Sequence, residues 1–366
     1  VGYTWAAVSI VDGQRIAELP FLECDTTSVE LGRYTTTTAK LPLPNAPENW
    51  KAATRPGAAV LVQIDEATNV PVWGGMITRT PLDAGSEIEI SLASFEAYFD
   101  RRYVGDLAYS QVGQNAIVND LVNKFAKAGN GVNPGVPIRV EVVGGDTILR
   151  DRTYLDADNK SLYAVLTELS GVINGPEWTV YWESSPDQSK ITPVLRVGDR
   201  IGNAVSPGLG PNAVFYIPGN SSAFSQDNDY SAAEGANDVM AYSTANGDEA
   251  PQSVHVQTSD PGRVVFEYRW TPSTSITDTD TLAEHAQKRA AQMIDGSNAI
   301  ALSAPTSVAP RLGTDWNVGD DIGYEIRVPS FPGGLSGTTR AVGWELKTGD
   351  VDTVTPILLN PDDLEA

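Results

Sequence analysis

Cysteine occurs once in the 366 residues, at Cys24. A lone thiol excludes an intramolecular disulfide and with it the oxidised scaffold of a small secreted domain. Its expected role is that of a small buried hydrophobe. Histidine occurs only at His255 and His285. His255 lies in Val254-His255-Val256 and His285 in an amphipathic stretch, and neither has an HExxH or a second ligand in sequence. Zinc and histidine-based nucleophilic catalysis therefore lack a residue set. No apolar run approaches the ~18 residues that span a bilayer. Val1-Gly2-Tyr3-Thr4-Trp5 lacks the charged and apolar regions of a signal peptide. A soluble protein made inside a cell, with no membrane insertion, is the expectation. Basic residues are scarce as well: 25 Lys and Arg stand against 47 Asp and Glu, for a net charge of −22. Such a balance repels DNA and anionic membranes and argues against a nucleic-acid grip. Acidic balance of this kind is more often simply a matter of solubility.

Motifs of bound chemistry are missing too. Neither GxxxxGK[ST] nor GxGxxG occurs. Asp156-Ala157-Asp158-Asn159 begins like a calcium loop, but Ser161 and Thr167 stand where its Gly and Glu belong. Helix caps and turns explain that cluster, and those at 227–229 and 278–280, more cheaply. Gly334-Leu335-Ser336-Gly337 is no nucleophile elbow, since its second Gly comes one residue early. Glu177 and Glu183 flank Trp178 and Trp182, which invites a glycosidase reading. Six residues of extended strand separate the acids by roughly 20 Å, too far for a catalytic pair. Trp178, Val180 and Trp182 share one strand face and read as core. No catalytic, cofactor-binding or metal-ligating residue is expected, hence no enzyme.

Strand-and-turn patterning is what the chain has in quantity, with 33 Gly and 24 Pro. Three β-branched runs within 57–98 are separated by turn residues at 65–69 and 83–86, predicting an antiparallel meander. Ile88, Ile90 and Leu92 alternate with Glu87, Glu89 and Ser91, so one face is buried. Gly74-Gly75 marks a bulge or a close approach of another backbone. A weaker echo follows at 318–346: Gly, strand, Pro/Gly loop, return strand with an Arg. Duplication is left open by two copies.

Upstream, Asp12-Gly13 sets a hairpin between 6–10 and 14–19, and 28–40 alternates. Ile117, Val118, Leu121, Val122 and Phe125 predict a helix ended by Gly129-Asn130-Gly131. Leu162, Val165, Leu166, Leu169, Val172 and Ile173 predict a second, capped by Asp158 or Asn159. Strands are expected at 138–143, 178–182 and 192–197. From residue 220 strands return, interrupted by a helix over 279–295. Thr281 and Glu284 would form its capping box and Leu282, Ala286, Ala290 and Met293 its buried stripe. The fold class expected is mainly β with an α+β middle region. The expected domains are 1–98 (β), 99–218 (α+β, helices near 111–128 and 160–173) and 219–366 (β, one helix near 279–295).

Several stretches occur in a characteristic order. Trp73-Gly74-Gly75-Met76-Ile77-Thr78-Arg79 leads to Phe99-Asp100-Arg101-Arg102. Asp227–Ser231 and Asn237-Asp238-Val239-Met240-Ala241 follow, then Leu282-Ala283-Glu284-His285-Ala286 and Val318-Gly319-Asp320-Asp321-Ile322. This order resembles the tail-tip hub proteins of siphophages infecting actinobacteria, minor tail proteins related to the contractile-tail baseplate hub. The resemblance implies two tail-tube-like β-barrel or sandwich domains flanking the α+β domain. It implies a homotrimer forming a pseudo-sixfold ring at the virion's tail tip, made in the host cytoplasm. Implied partners are the distal tail protein, the tape measure protein and other minor tail or receptor-binding proteins. Double-stranded DNA would pass an acidic lumen without specific binding. No lytic extension is visible before Ala366. A carbohydrate-binding or glycoside-hydrolase protein of β-rich fold is the alternative, and it should display several Trp on one exposed face.

Overall fold

The computed structural model describes residues 2–172, 174–206, 208–243, 250–272 and 279–359, apart from the side chains of Thr281 and Asn298. Expectations placed on Ile173, Asp278 and the last residues of the chain lie outside these. The fold is mixed α+β and dominated by β-sheet. Two compact units partition it: residues 1–223 with 302–357, and 224–301 with 358–366.

The first unit contains the predicted meander, as Ala59–Asp65, Val70–Arg79 and Glu87–Ser94 in antiparallel pairing. Its turns form as their residues dictate. Asn69 takes a φ of 57° and closes back on the Asp65 carbonyl, and Asp83 accepts from the Gly85 N–H. Ile88, Ile90 and Leu92 are buried while Glu87 and Glu89 are exposed. Sheet order is Arg15–Glu18, Tyr3–Ser9, Ala59–Asp65, Val70–Arg79, Glu87–Ser94, Thr36–Pro42. Register shifts at Ala7/Val8, Gln63/Ile64 and Ile77/Arg79 accompany its partial curling into a half-barrel. No shift falls at Gly74-Gly75, so the bulge expected there is corrected. A Cβ on Gly74 would overlap the Trp182 indole, and one on Gly75 the Trp73 ring. Close approach is the reason for both glycines, but the approaching groups are indoles of the same chain.

One face of this sheet packs on residues 95–197 as one continuous core. That segment has helices Gln114–Val122, continued by a π turn at Asn123–Lys127, and Leu162–Ser170. Ser161 caps the second helix by accepting from the Ala164 N–H, not Asp158 or Asn159. Asn159 is instead spent in the left-handed region, closing the short turn Asp156–Asp158. A sheet of Glu177–Ser184, Ile191–Gly198 and Arg139–Val143 completes the layer. The antiparallel pair of Leu107–Gly113 with Leu149–Tyr154 was not foreseen. Its second strand reads Leu-Arg-Asp-Arg-Thr-Tyr and carries no alternating apolar signal, because Arg150 takes a part-buried position by bonding Gln114 and the Asn174 carbonyl.

A second sheet in this unit orders Val214–Ile217, Asp321–Ile326, Leu335–Lys347, Thr353–Leu358 and then Ser297–Pro305, which enters at Leu302. Thr26–Glu30 pairs with the far half of Leu335–Lys347. The echo seen in sequence extends to topology. In both sheets four strands consecutive in the chain are arranged first, fourth, third, second: Thr36–Pro42 with the meander, and Ser297–Pro305 with the last three strands. Gly57 at φ 68° and Gly319 at φ 93° each precede the second of these strands by two residues. Each donates its N–H to the returning strand, at Ile77 and Ala341 respectively. The two arginines do not correspond, since Arg79 is exposed and Arg340 buried.

In the second unit, Asp238–Ala241 lies between Val256–Gln257 and Glu267–Trp270. Helix Thr279–Met293 covers that sheet with Leu282, Ala286, Ala290 and Met293, the stripe read from sequence. Thr281 falls inside this helix, so it is not its N-cap. No helix among the described residues is long and apolar enough to cross a membrane.

Candidate functional site

Strand Glu177–Ser184 is the place where the sequence came nearest to chemistry, and alternation decides what it does there. Trp178, Val180 and Trp182 point into the core, where Trp182 meets Phe95 edge-on at 5.4 Å and Trp178 meets Phe99 at 5.9 Å. The opposite face carries Glu177, Thr179, Tyr181 and Glu183. Glu177 holds Arg340 through two bonds of 2.6 and 2.5 Å, and Glu183 holds Arg139 at 2.7 Å. Each acid is neutralised by its own arginine. They form no acid–base couple, as their spacing predicts.

Beside them Glu141 accepts from Arg196 at 2.7 Å and from the Tyr181 hydroxyl at 3.0 Å. Burial pushes the Glu141 carboxyl up, but these two donors more than offset it and hold it below the usual range. The Arg196 guanidinium also lies over the Tyr181 ring, 4.5 Å from its centroid. This network borders a cleft of about 540 Å³, walled by Val70, Val72, Thr179, Trp344 and the 312–318 loop. It contains no nucleophile with a base.

His255 and Asp238 do meet, at 2.6 Å, which the sequence did not announce. The other Asp238 oxygen accepts from Gln257 at 2.8 Å. No group of three or more potential metal ligands occurs among the described residues. Six of the eight tryptophans are buried, and Trp50 and Trp270 are half-buried. A sugar-stacking face is therefore not built from them.

The motif residues behave as fasteners. Asp100 accepts from Ser161, Asn237 bonds Val264 and Phe266, and Asp320 accepts from both nitrogens of Asn203. Asp321 pairs with Arg200 at 2.5 Å and accepts from the Val205 N–H.

The carboxyl of Glu96 is buried and has no ion-pair partner among the described residues. Glu96 accepts from the Val180 N–H, and burial raises its pKa to about 7. The native state thus keeps a proton that the unfolded chain loses near the ordinary value. Stability is expected to fall as pH rises from about 4.5 to about 7, reaching a penalty of about 3 kcal/mol above that. Glu96→Gln should gain on the natural chain by that amount between pH 5 and pH 8 in urea unfolding. A stability difference that does not change with pH would show Glu96 to be hydrated.

No protein-family model matches the sequence, and no curated protein does. Solved structures do match. The 43 kDa tail protein of prophage MuSo2 from Shewanella oneidensis superposes with a TM-score of 0.57 at 11% identity, over 98% of this chain and 99% of that one. A tail protein from Neisseria meningitidis gives 0.55 at 12% identity, over 98% and 97%. The chain has the fold of phage tail proteins. A lidded PdpA–VgrG complex from Francisella also matches, with a TM-score of 0.53 at 11% identity, over 98% of this chain and 53% of that one.

Proposed function

We propose that the chain is a structural hub of a phage tail tip or baseplate, and not an enzyme. The observation that carries this is the likeness to two tail proteins, which covers 98% of this chain and 97–99% of theirs. In this reading three copies form a ring that closes and adapts the tail tube in the virion. The shared strand order of 36–94 and 297–358 supports two tube-like elements per chain, hence a pseudo-sixfold ring from three subunits. The net charge of −22 supports an acidic conduit along which DNA slides during ejection. The distal tail protein, the tape measure and receptor-binding components would be its neighbours. Siphophage tip, rather than contractile baseplate, is the finer proposal and rests on the motif order.

Gold-conjugated antibody to the purified chain, applied to intact tailed particles, tests the placement. Label confined to the distal end of the tail is expected. Label along the shaft, on the head or absent from the particle would refute it. The same purified chain should release no soluble fragments from bacterial cell wall. Turnover abolished by one Glu or Asp substitution would restore the glycosidase alternative.

A further inference from the structure

The cleft beside Glu177–Ser184 is bounded by main chain with unmet hydrogen-bonding capacity. In the antiparallel pair with Ile191–Gly198, Trp182 stands opposite Pro193, and the odd-numbered residues carry the ladder. Ser185 continues that pattern by donating to the Lys190 carbonyl. The even-numbered residues therefore turn N–H and C=O to the other edge. At the start of the strand that edge is already taken: Gly32 donates to the Trp178 carbonyl, and the Val180 N–H goes to Glu96. From there on it is open. The Val180 carbonyl, both main-chain groups of Trp182 and the Ser184 N–H have no partner among the described residues, and all three residues line the cleft. Opposite, Val70–Val72 pairs only with the strand before it, because pairing to the next strand begins at Gly75.

Side chains point to a ligand as well. Thr179 is 94% buried, since 6% of it is exposed, and its hydroxyl has no hydrogen-bond partner. The Ser184 hydroxyl is buried and equally unmatched. Arg196 spends its Nε on Glu141 and interacts with Tyr181, yet it lines the cleft with about 32% of its side chain exposed and so can still offer a terminal N–H. A buried hydroxyl without a partner is costly, so a ligand that satisfies these groups gains from each.

We propose that this cleft takes an extended segment of a partner polypeptide, added as a strand to the open edge of Glu177–Ser184 with a carboxylate set against Arg196. Strand addition uses main-chain bonds for affinity and alternate side chains for selection. Here alternate positions would face Val70, Val72 and Trp344. A volume of about 540 Å³ suits several residues of peptide and lies within the range of specific ligand sites.

The test uses the full chain and a library of random linear dodecapeptides. Peptides are selected on the natural chain after depletion on Ser184→Pro, which removes one edge N–H without touching the ladder. Selected peptides should be extended and acidic, and should slow hydrogen exchange at the Trp182 and Ser184 amides about tenfold or more. Arg196→Gln leaves the strand intact and should weaken binding by about tenfold. It keeps the test open if Ser184→Pro does not fold, selection then being run on the natural chain without depletion. Failure to enrich any peptide, protection elsewhere on the molecule, or unchanged affinity in Arg196→Gln overturns the proposal. So does self-association in the absence of peptide that is lost in the same variants, which would make a second copy the occupant.

Discussion

Arg340→Ala is expected to lower the free energy of unfolding by about 3–5 kcal/mol, the usual cost of breaking a buried ion pair by deleting one partner. Arg340 is 8% exposed and holds more than Glu177. Its Nε donates to the Gly319 carbonyl at 3.0 Å, and one terminal nitrogen also reaches the Ile201 carbonyl at 2.8 Å. Glu177 in turn accepts from the Ile201 N–H at 2.7 Å. Gly202 and Gly319 meet at this point, each at a positive φ; a Cβ on Gly202 would overlap the Gly319 carbonyl, and one on Gly319 the Ile201 carbonyl. One guanidinium thus fastens the return strand of the second sheet to strand Glu177–Ser184 and to the glycine crossing. Arg340→Lys should recover little, because a point charge cannot make the planar fork. Urea unfolding of Arg340→Ala, Glu177→Ala and the double variant measures the coupling. A loss below about 1 kcal/mol would place this pair with ordinary surface ion pairs.

Gly74→Val should be nearly as costly. Its side chain would enter the space of the Trp182 indole, which is pinned edge-on by Phe95 and cannot turn aside within the core. Overpacking of this kind costs about 1–3 kcal/mol, and the upper end is expected where the obstacle is a rigid ring. Trp182→Leu alone leaves a void. Combined with Gly74→Val it should be less destabilised than the sum of the two, with a coupling of about 1 kcal/mol or more. Strict additivity would mean that the indole and the glycine are not in contact.

Both sites show where sequence was and was not sufficient. The meander was legible because alternation in 87–93 and the turn residues agree with one another. The helix stripes were legible for the same reason. Gly74 announced close approach without saying of what, since the approaching indole lies 108 positions away at Trp182. Arg340 and Glu177 are 163 positions apart, and nothing local distinguishes them from exposed charges until the fold joins them. Strand Leu149–Tyr154 was missed because its buried side is made of arginine bonds instead of apolar groups. The helix cap was misplaced by three residues at most, since Asp158, Asn159 and Ser161 are all good caps and only backbone conformation chooses among them. The cleft edge could not be read at all: open main-chain groups leave no trace in residue types.

Reconstruction of the assembled particle by electron microscopy is the measurement that bears most directly on the hub. Threefold density at the distal end of the tail, fitted by three copies of this chain, is expected. Its channel should admit a duplex, on the order of 20 Å across or wider given the groove dimensions of B-DNA, with carboxylates outnumbering Lys and Arg on the wall. Any other symmetry at this chain's position, or a basic lumen, would contradict the hub assignment.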